Sequence, residues 1–376
     1  MTPSLAALRF PAQRSRGRRY PEPSHPYRDE FQRDRDRIVH ARAFRRLEDK
    51  TQVFTPALSD HFRNRLTHTI EVAQIARTAA VALELNEDLT ETLALAHDIG
   101  HPPFAHAGEE ELNRQMARFG GRFDHNLHAL RIVESFEQRY PGFPGLNLTF
   151  EVREGIAKHS RDFAAGEFQE LDEYLPGLRP PLEAQLIDLA DEIAYNTADL
   201  DDAFSAGMFD VEEIALESHA YAELLADARA RFPAAPEGML FAETVRGLID
   251  LMVSGLIGGT RVAAAAAGVK DPDEVRRYPR RVASLVPEAE TASAALKAFL
   301  RRRVYFCDEL LEERRRVAAM LGELFVYFLE RPDRLPHAYL QQAGAGEPHR
   351  IVCDYIAGMT DGYFRRVYQR AFQMGE

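Results

Sequence analysis

The sequence predicts an all-α protein. Three observations carry that expectation. No run of alternating β-branched residues lies between turn pairs, no segment repeats at a fixed period, and apolar residues recur at helical spacing through most of the chain. With 376 residues the chain can bury a substantial core, as one large domain or two ordinary ones.

In chain order, residues 1–30, with YPEPSHPY, read as an extended N-terminal arm. Asp34 to Leu47 reads as a charged amphipathic helix. Leu66 to Leu83 reads as a helix with Leu66, Ile70, Ala73 and Ala80 on its apolar face. Glu87 to Asp98 follows, capped by Asn86 and stopped by Gly100 with Pro102 and Pro103. Further helices are expected at Ala105 to Phe119, Asn126 to Arg139, Phe150 to His159 and Leu182 to Phe204. Tyr140 to Leu148 and Gly166 to Pro181 read as loops. Helices continue at Val211 to Phe232, Gly238 to Gly258, Ala292 to Glu330 and Ile351 to Phe372. Gly258 to Pro287, with small residues and an arginine cluster, reads as a loop or a binding arm.

Composition narrows the class. Apolar residues at 45% and charged residues at 28% are soluble-protein values. The longest uncharged apolar stretch, Leu251 to Thr260, lies between Asp250 and Arg261 and is far short of the ~18 residues that span a bilayer. No signal-peptide core is present, and two cysteines form no disulfide framework, so a reducing cytoplasm is expected. A net charge of −12 argues against a general nucleic-acid binder. Twelve arginines against five acids between Arg9 and Arg46, and only four lysines among 47 basic residues, still leave a fixed-fork cation suited to phosphate.

Eight of thirteen histidines lie between His61 and His159. Within LALAHDIGHPPFAHAGE (93–109), an apolar helical run ends in His97-Asp98. A buried histidine beside a carboxylate calls for a charge between them. His68, His97, Asp98 and Asp191 stand out as ligands, because imidazole plus carboxylate suits Zn, Mn, Fe, Ni or Mg-type ions. Adjacent helical residues point ~100° apart, so His97 and Asp98 need the widened helix end that Gly-Pro-Pro provides.

At this point a resemblance becomes specific. The order His68, His97-Asp98, Asp191 resembles the H…HD…D set of HD-domain metal-dependent phosphohydrolases. RDRDRIVHARAFRRLEDKTQVF (33–54), RNRLTHTIEVAQIAR (63–77), HDIGHPPFAHAGEEEL (97–112), DEIAYNTADLDDAF (191–204) and VCDYIAGMTDGYF (352–364) resemble the deoxyguanosinetriphosphate triphosphohydrolase-like family. The likeness covers roughly residues 18 to 372. Neither the Glu-Asp pair of the (p)ppGpp hydrolases nor the Gly-Tyr-Pro element of the cyclic-di-GMP enzymes is present.

The resemblance implies an HD-type helical core at about 60–205 and a helical C-terminal extension at 206–376, in one large domain from residue 31. It implies hydrolysis of a dNTP to deoxynucleoside and inorganic triphosphate with a divalent ion, Mg²⁺ or Mn²⁺ before Fe, Ni, Co or Zn. His106 and Glu109 match the catalytic His–acid pair, three apart on one helical face. Arg65, three before His68 and one turn away, is expected to reach the same phosphate, and His101, His125 and Asn126 match phosphate-contacting positions. Tyr195 and Asp199 continue the Asp191 stripe toward triphosphate and sugar, and Gln52 matches a sugar-contacting glutamine. Glu192 stands where eukaryotic relatives place a lysine against the triphosphate tail, so either a bridging Mg²⁺ or arginines and Lys158-His159 elsewhere are expected to neutralise it. A homo-oligomer (tetramer or hexamer), a regulatory dNTP and single-stranded nucleic acid are further expected partners, and no membrane is. An HD nucleotidase or phosphodiesterase on another nucleotide, and a nucleotide-sensing scaffold, are the alternatives. Arg276-Arg277 and Arg280-Arg281 read as a solvated face in preference to a phosphate site.

Overall fold

The computed structural model describes residues 4–53, 62–342 and 347–372. In chain order its α-helices are α1 (Glu30–Val39), α2 (Arg42–Arg46), α3 (Arg65–Leu83), α4 (Glu87–Ala96), α5 (Ala105–Ala117), α6 (His125–Arg131), α7 (Phe150–Ala157), α8 (Leu182–Ser205) and α9 (Val211–Ala215). Then come α10 (His219–Arg231), α11 (Glu237–Ala267), α12 (Pro272–Arg277), α13 (Pro287–Leu300), α14 (Asp308–Glu330), α15 (His337–Gln342), α16 (Pro348–Ala357) and α17 (Asp361–Phe372). No strand forms among the described residues, so the fold is all-α as the spacing predicts.

The chain divides into two units. The first comprises Met1–Asp36, His68–Leu95 and Leu148–Cys307; the second comprises Arg37–Thr67, Ala96–Asn147 and Asp308–Glu376.

In the first unit α11 packs on α8, α10 and α13. It buries Phe241, Leu248, Met252 and Leu256, and Phe241 stacks on Phe204 with ring centroids 3.9 Å apart. By length and composition alone α11 could cross a membrane, but its apolar stripe is the core of this unit. Residues 4–29 contain no α-helix, yet Leu5, Leu8 and Phe10 are buried. The backbone N–H of Phe10 donates to Glu183 Oε1 at 2.8 Å, and Asn86 Nδ2 donates to the Phe10 carbonyl at 2.8 Å. The arginines here are paired within the unit: Arg14 with Asp273, Arg18 with Glu30 and Asp34, Arg35 with Asp88 and Glu91.

In the second unit α14 packs on α5, α16 and α17. Leu112, Met116, Leu321, Leu324, Phe325, Phe328, Val352, Ile356 and Phe364 form its core. Gly322 permits the α5–α14 contact, since a Cβ there would meet Glu111 Oε1 at 2.6 Å.

Several element boundaries differ from expectation. The 34–47 helix breaks at His40-Ala41, where Ala41 turns extended. Of the face expected on α3, Ala73 and Ala80 are buried, but Ile70 is 54% exposed, and the helix also buries His68, Thr69, Val72, Ala76, Ala79 and Leu83. The helix expected over 211–232 splits at Ser218, whose hydroxyl caps α10 through the Tyr221 N–H. The 292–330 helix breaks at Phe306-Cys307, and the 351–372 helix at 358–360. The supposed loop at 258–287 is helical through Ala267, ending on Gly268 at φ 66°, and contains α12. Arg277 and Arg280 are exposed as expected, but Arg276 and Arg281 are no solvated face. Arg276 pairs with buried Glu154 at 2.8 Å, while Arg281 donates to the Lys158 and Arg161 carbonyls at 2.7 Å and pairs with Asp162 and Asp188.

Candidate active site

In the second unit the helical run ends at Ala96, and the His97-to-Gly100 turn closes with the His101 N–H donating to the Asp98 carbonyl at 3.1 Å. Gly100 is required there, because a Cβ would meet the His125 carbonyl at 2.0 Å. Asp98 is buried. It accepts from Arg65 Nη1 at 2.7 Å, lies 3.0 Å from His101 Nε2, and lies 3.5 Å from His97 Nε2. Burial alone would raise its pKa, but Arg65, His97 and His101 hold it well below the carboxylate range. Burial, then Arg65 and His125, push His101 well below its usual value, so it is a neutral imidazole near pH 7.

Glu109 on α5 accepts from the His125 backbone N–H at 2.9 Å and lies 2.8 Å from His125 Nδ1. His106 Nδ1 is 3.9 Å from the other Glu109 oxygen, and its side chain is 74% exposed. The acid therefore holds His125 more tightly than the partner its spacing suggests. Burial would raise the Glu109 pKa, but the His106 and His125 rings hold it far down. His101 and His125 stack at 4.0 Å, and together with Glu109 they offer ligand atoms within 4.8 Å of one another. Asn126 is buried at the start of α6, which Asp124 caps. Gln52 is half-buried beside Thr51.

In the first unit α3 and α8 bring His68 Nε2 to 2.9 Å from Asp191 Oδ1. His159 Nε2 lies 3.8 Å from Asp191 Oδ2, and its Nδ1 lies 2.9 Å from Asp188 Oδ1, one turn earlier on α8. Lys158 is not placed for a phosphate. Its ammonium is buried and donates to Glu154 Oε1, the Leu175 carbonyl and the Leu178 carbonyl at 2.8–2.9 Å. Three donors meet three acceptors, which leaves none for a ligand. Asp199 is buried and accepts from the Tyr305 hydroxyl at 2.5 Å. Tyr195 is half-buried, and burial with Glu192, Asp191 and Asp199 nearby pushes its phenol up.

Glu192 has a partner that sequence reasoning missed. Lys297 on α13 pairs with it at 2.5 Å and lies 5.8 Å from the centre of the Tyr195 ring. Asp188 and Tyr305 were also missed, and Arg281 was read only as a solvated face. Their only sequence signal is residue type, since each meets its partner from a remote segment.

The described residues thus hold imidazole–carboxylate pairs of metal-ligand character: buried His68 with half-buried Asp191 in the first unit, and buried His97 with buried Asp98 in the second. Each pair offers an imidazole nitrogen and a carboxylate oxygen, donor types that suit a divalent ion.

These features define a class. The HD domain family matches residues 65–196, and the family described as "Phosphohydrolase-associated domain" matches residues 283–370. A "Deoxyguanosinetriphosphate triphosphohydrolase-like protein" of Azoarcus sp. (strain BH72) is 48% identical over 96% of this chain and 95% of its own length. Proteins of the same description from Ralstonia nicotianae and Geobacter sulfurreducens are 46% and 43% identical, over 98% and 96% of this chain and 94% and 93% of theirs. The chain belongs to the deoxyguanosinetriphosphate triphosphohydrolase-like family of HD-domain phosphohydrolases.

Proposed function

We propose that this chain is a divalent-metal-dependent hydrolase that splits deoxynucleoside triphosphates into deoxynucleoside and inorganic triphosphate, and so adjusts dNTP pools. The observation that carries the reading is buried Asp98 ringed by Arg65, His97 and His101, in a chain whose relatives carry that family description.

By their H…HD…D positions, His68, His97, Asp98 and Asp191 would hold the ion, with Mg²⁺ or Mn²⁺ expected. Bound there, a divalent ion would supply Lewis acidity toward a phosphoryl oxygen and lower the pKa of the attacking water. The remaining work belongs to the chain. The Arg65 guanidinium and the neutral His101 imidazole bind α-phosphate oxygens, and His125 and Asn126 lie beside them. Water forms the new bond to the α-phosphorus as the bond to the 5′-oxygen breaks. His106 moves the proton that water loses and the 5′-oxygen gains, with Glu109 orienting the imidazole cluster. Lys297 and His159 supply charge and hydrogen bonds to the phosphate tail in the place Lys158 was expected to fill. Tyr195, Asp199 and Gln52 read the sugar, and an unmet hydroxyl partner would disfavour dideoxy substrates strongly.

Incubating the four dNTPs, singly and mixed, with Mg²⁺ or Mn²⁺ and identifying the products tests this reading. Triphosphate release is the expected result; pyrophosphate or orthophosphate as first product, or no turnover, defeats it. Activity only in mixtures would support the regulatory dNTP and the tetramer or hexamer that complete the proposal.

A further inference from the structure

The head of α5 carries two consecutive non-glycine residues in the left-handed region, Phe104 at φ 63° and Ala105 at φ 53°. Such residues are strained and persist only where their surroundings hold them. Here the hold comes from the C-terminal segment. Asp361, the first residue of α17, accepts from the Phe104 N–H through Oδ1 at 3.0 Å and from the Thr51 N–H through Oδ2 at 2.9 Å. The next turn of α17 completes the grip: Phe364 packs edge-on against Phe104 at 5.1 Å, and the Arg365 guanidinium lies 5.1 Å from the same ring.

Lys50 closes the other side. It is buried, and its ammonium donates to the carbonyls of His101 and Ala357. Its own carbonyl accepts from the Arg65 N–H at 3.1 Å. Arg46 Nη1 fixes the Gly358 carbonyl at 2.8 Å. All these residues lie in the second unit.

We propose that Asp361 and Lys50 are positioning residues: the turn at 357–361 is a latch that holds Thr51-Gln52, the His101 carbonyl and the strained head of α5 in the arrangement that aims His106 and Glu109. The proposal rests on the reading that His106 and Glu109 handle the proton. It gives the phosphohydrolase-associated segment a stated job, which is to finish an active-site loop that the HD segment alone leaves under strain.

The test uses the full-length chain and the variants Asp361→Ala, Asp361→Asn and Lys50→Met, with two readouts. Hydrogen exchange of peptides spanning 48–53 and 101–108 should speed up about tenfold in Asp361→Ala while α11 peptides stay unchanged. With a dNTP substrate, kcat should fall about 10–100-fold with KM nearly constant, because the lost quantity is orientation. Asp361→Asn keeps one acceptor and should fall between wild type and Ala, and it decides the matter if Asp361→Ala does not fold. Unchanged exchange in the two segments of a folded variant, or faster exchange with unchanged kcat, overturns the latch. If the wild-type chain hydrolyses no dNTP, the proposed function fails while the exchange arm still decides the latch.

Discussion

His128 shows how one buried side chain writes a pH dependence into the second unit. It is fully buried, and its Nδ1 lies 2.9 Å from the Gly100 carbonyl, behind the turn that carries Asp98 and His101. Burial, with Lys50, Arg131 and Arg350 adding repulsion, pushes its pKa down from 6.5 to about 3. The unfolded chain therefore binds one more proton than the folded chain between those values. This contribution to stability is fully present above pH 6.5 and is lost as pH falls toward 3. Between pH 7 and pH 4.5 it amounts to about 2–3 kcal/mol. Urea denaturation at the two pH values should show His128→Gln losing less stability than wild type by that amount. Equal losses would mean that the imidazole is not held neutral. Lys50 bears the same mark in the same unit, since burial pushes its amine down to about 7 against the opposing pull of Asp361.

Among the elements, α11 departs most from expectation, and its glycines explain why. Gly258-Gly259 look like a helix stop in the sequence, because helical glycine costs about 1 kcal/mol relative to alanine. The helix runs through them because the 284–286 segment lies directly on that face. A Cβ at Gly259 would meet the Ser284 carbonyl oxygen and Leu285 carbonyl carbon at 2.4 Å, both backbone, and the Val286 N–H donates to the Gly255 carbonyl at 3.1 Å. At Gly258 the nearest atom is a Val286 methyl at 3.5 Å, an ordinary contact. The neighbouring glycines should therefore respond in opposite senses. Gly259→Ala is expected to destabilise by about 1–3 kcal/mol through overpacking. Gly258→Ala should be neutral, or stabilising by up to about 1 kcal/mol through helix propensity. Thermal denaturation of the two single variants checks this, and a matching response would remove the close approach as the reason for glycine.

At the scale of the whole molecule, what the sequence discloses follows the range of the interaction. HDIG and the Gly-Pro-Pro stop are local, so the ends of α4 and the order of candidate ligands can be read directly. Helix existence was legible from periodicity. The breaks at Ser218, Phe306-Cys307 and 358–360 were not, since apolar spacing continues across them. Lys158 shows the limit for single residues: its type suits phosphate, but its burial against Glu154 is fixed by chain some twenty residues away. Lys297 and Asp188 were invisible for the converse reason, as each acquires its partner only in the folded chain, and Asp361, though inside a quoted motif, gave no sign of its partners. The ligands proposed for the ion share this long-range character, which gives metal binding a thermodynamic signature independent of any substrate. His68 and Asp191 meet only in the folded chain, from positions 123 residues apart, so an ion held there stabilises the native state by mass action. At a hundredfold excess over Kd that is about 2.7 kcal/mol, enough to raise the melting temperature by several degrees. After chelator treatment, Mn²⁺ should raise the wild-type melting temperature and leave that of Asp191→Asn nearly unmoved. Asp191→Asn keeps the shape of the His68 partner while removing the charge, so its own fold should survive the substitution. An equal rise in both proteins would place the ion elsewhere and remove Asp191 from the ligand set.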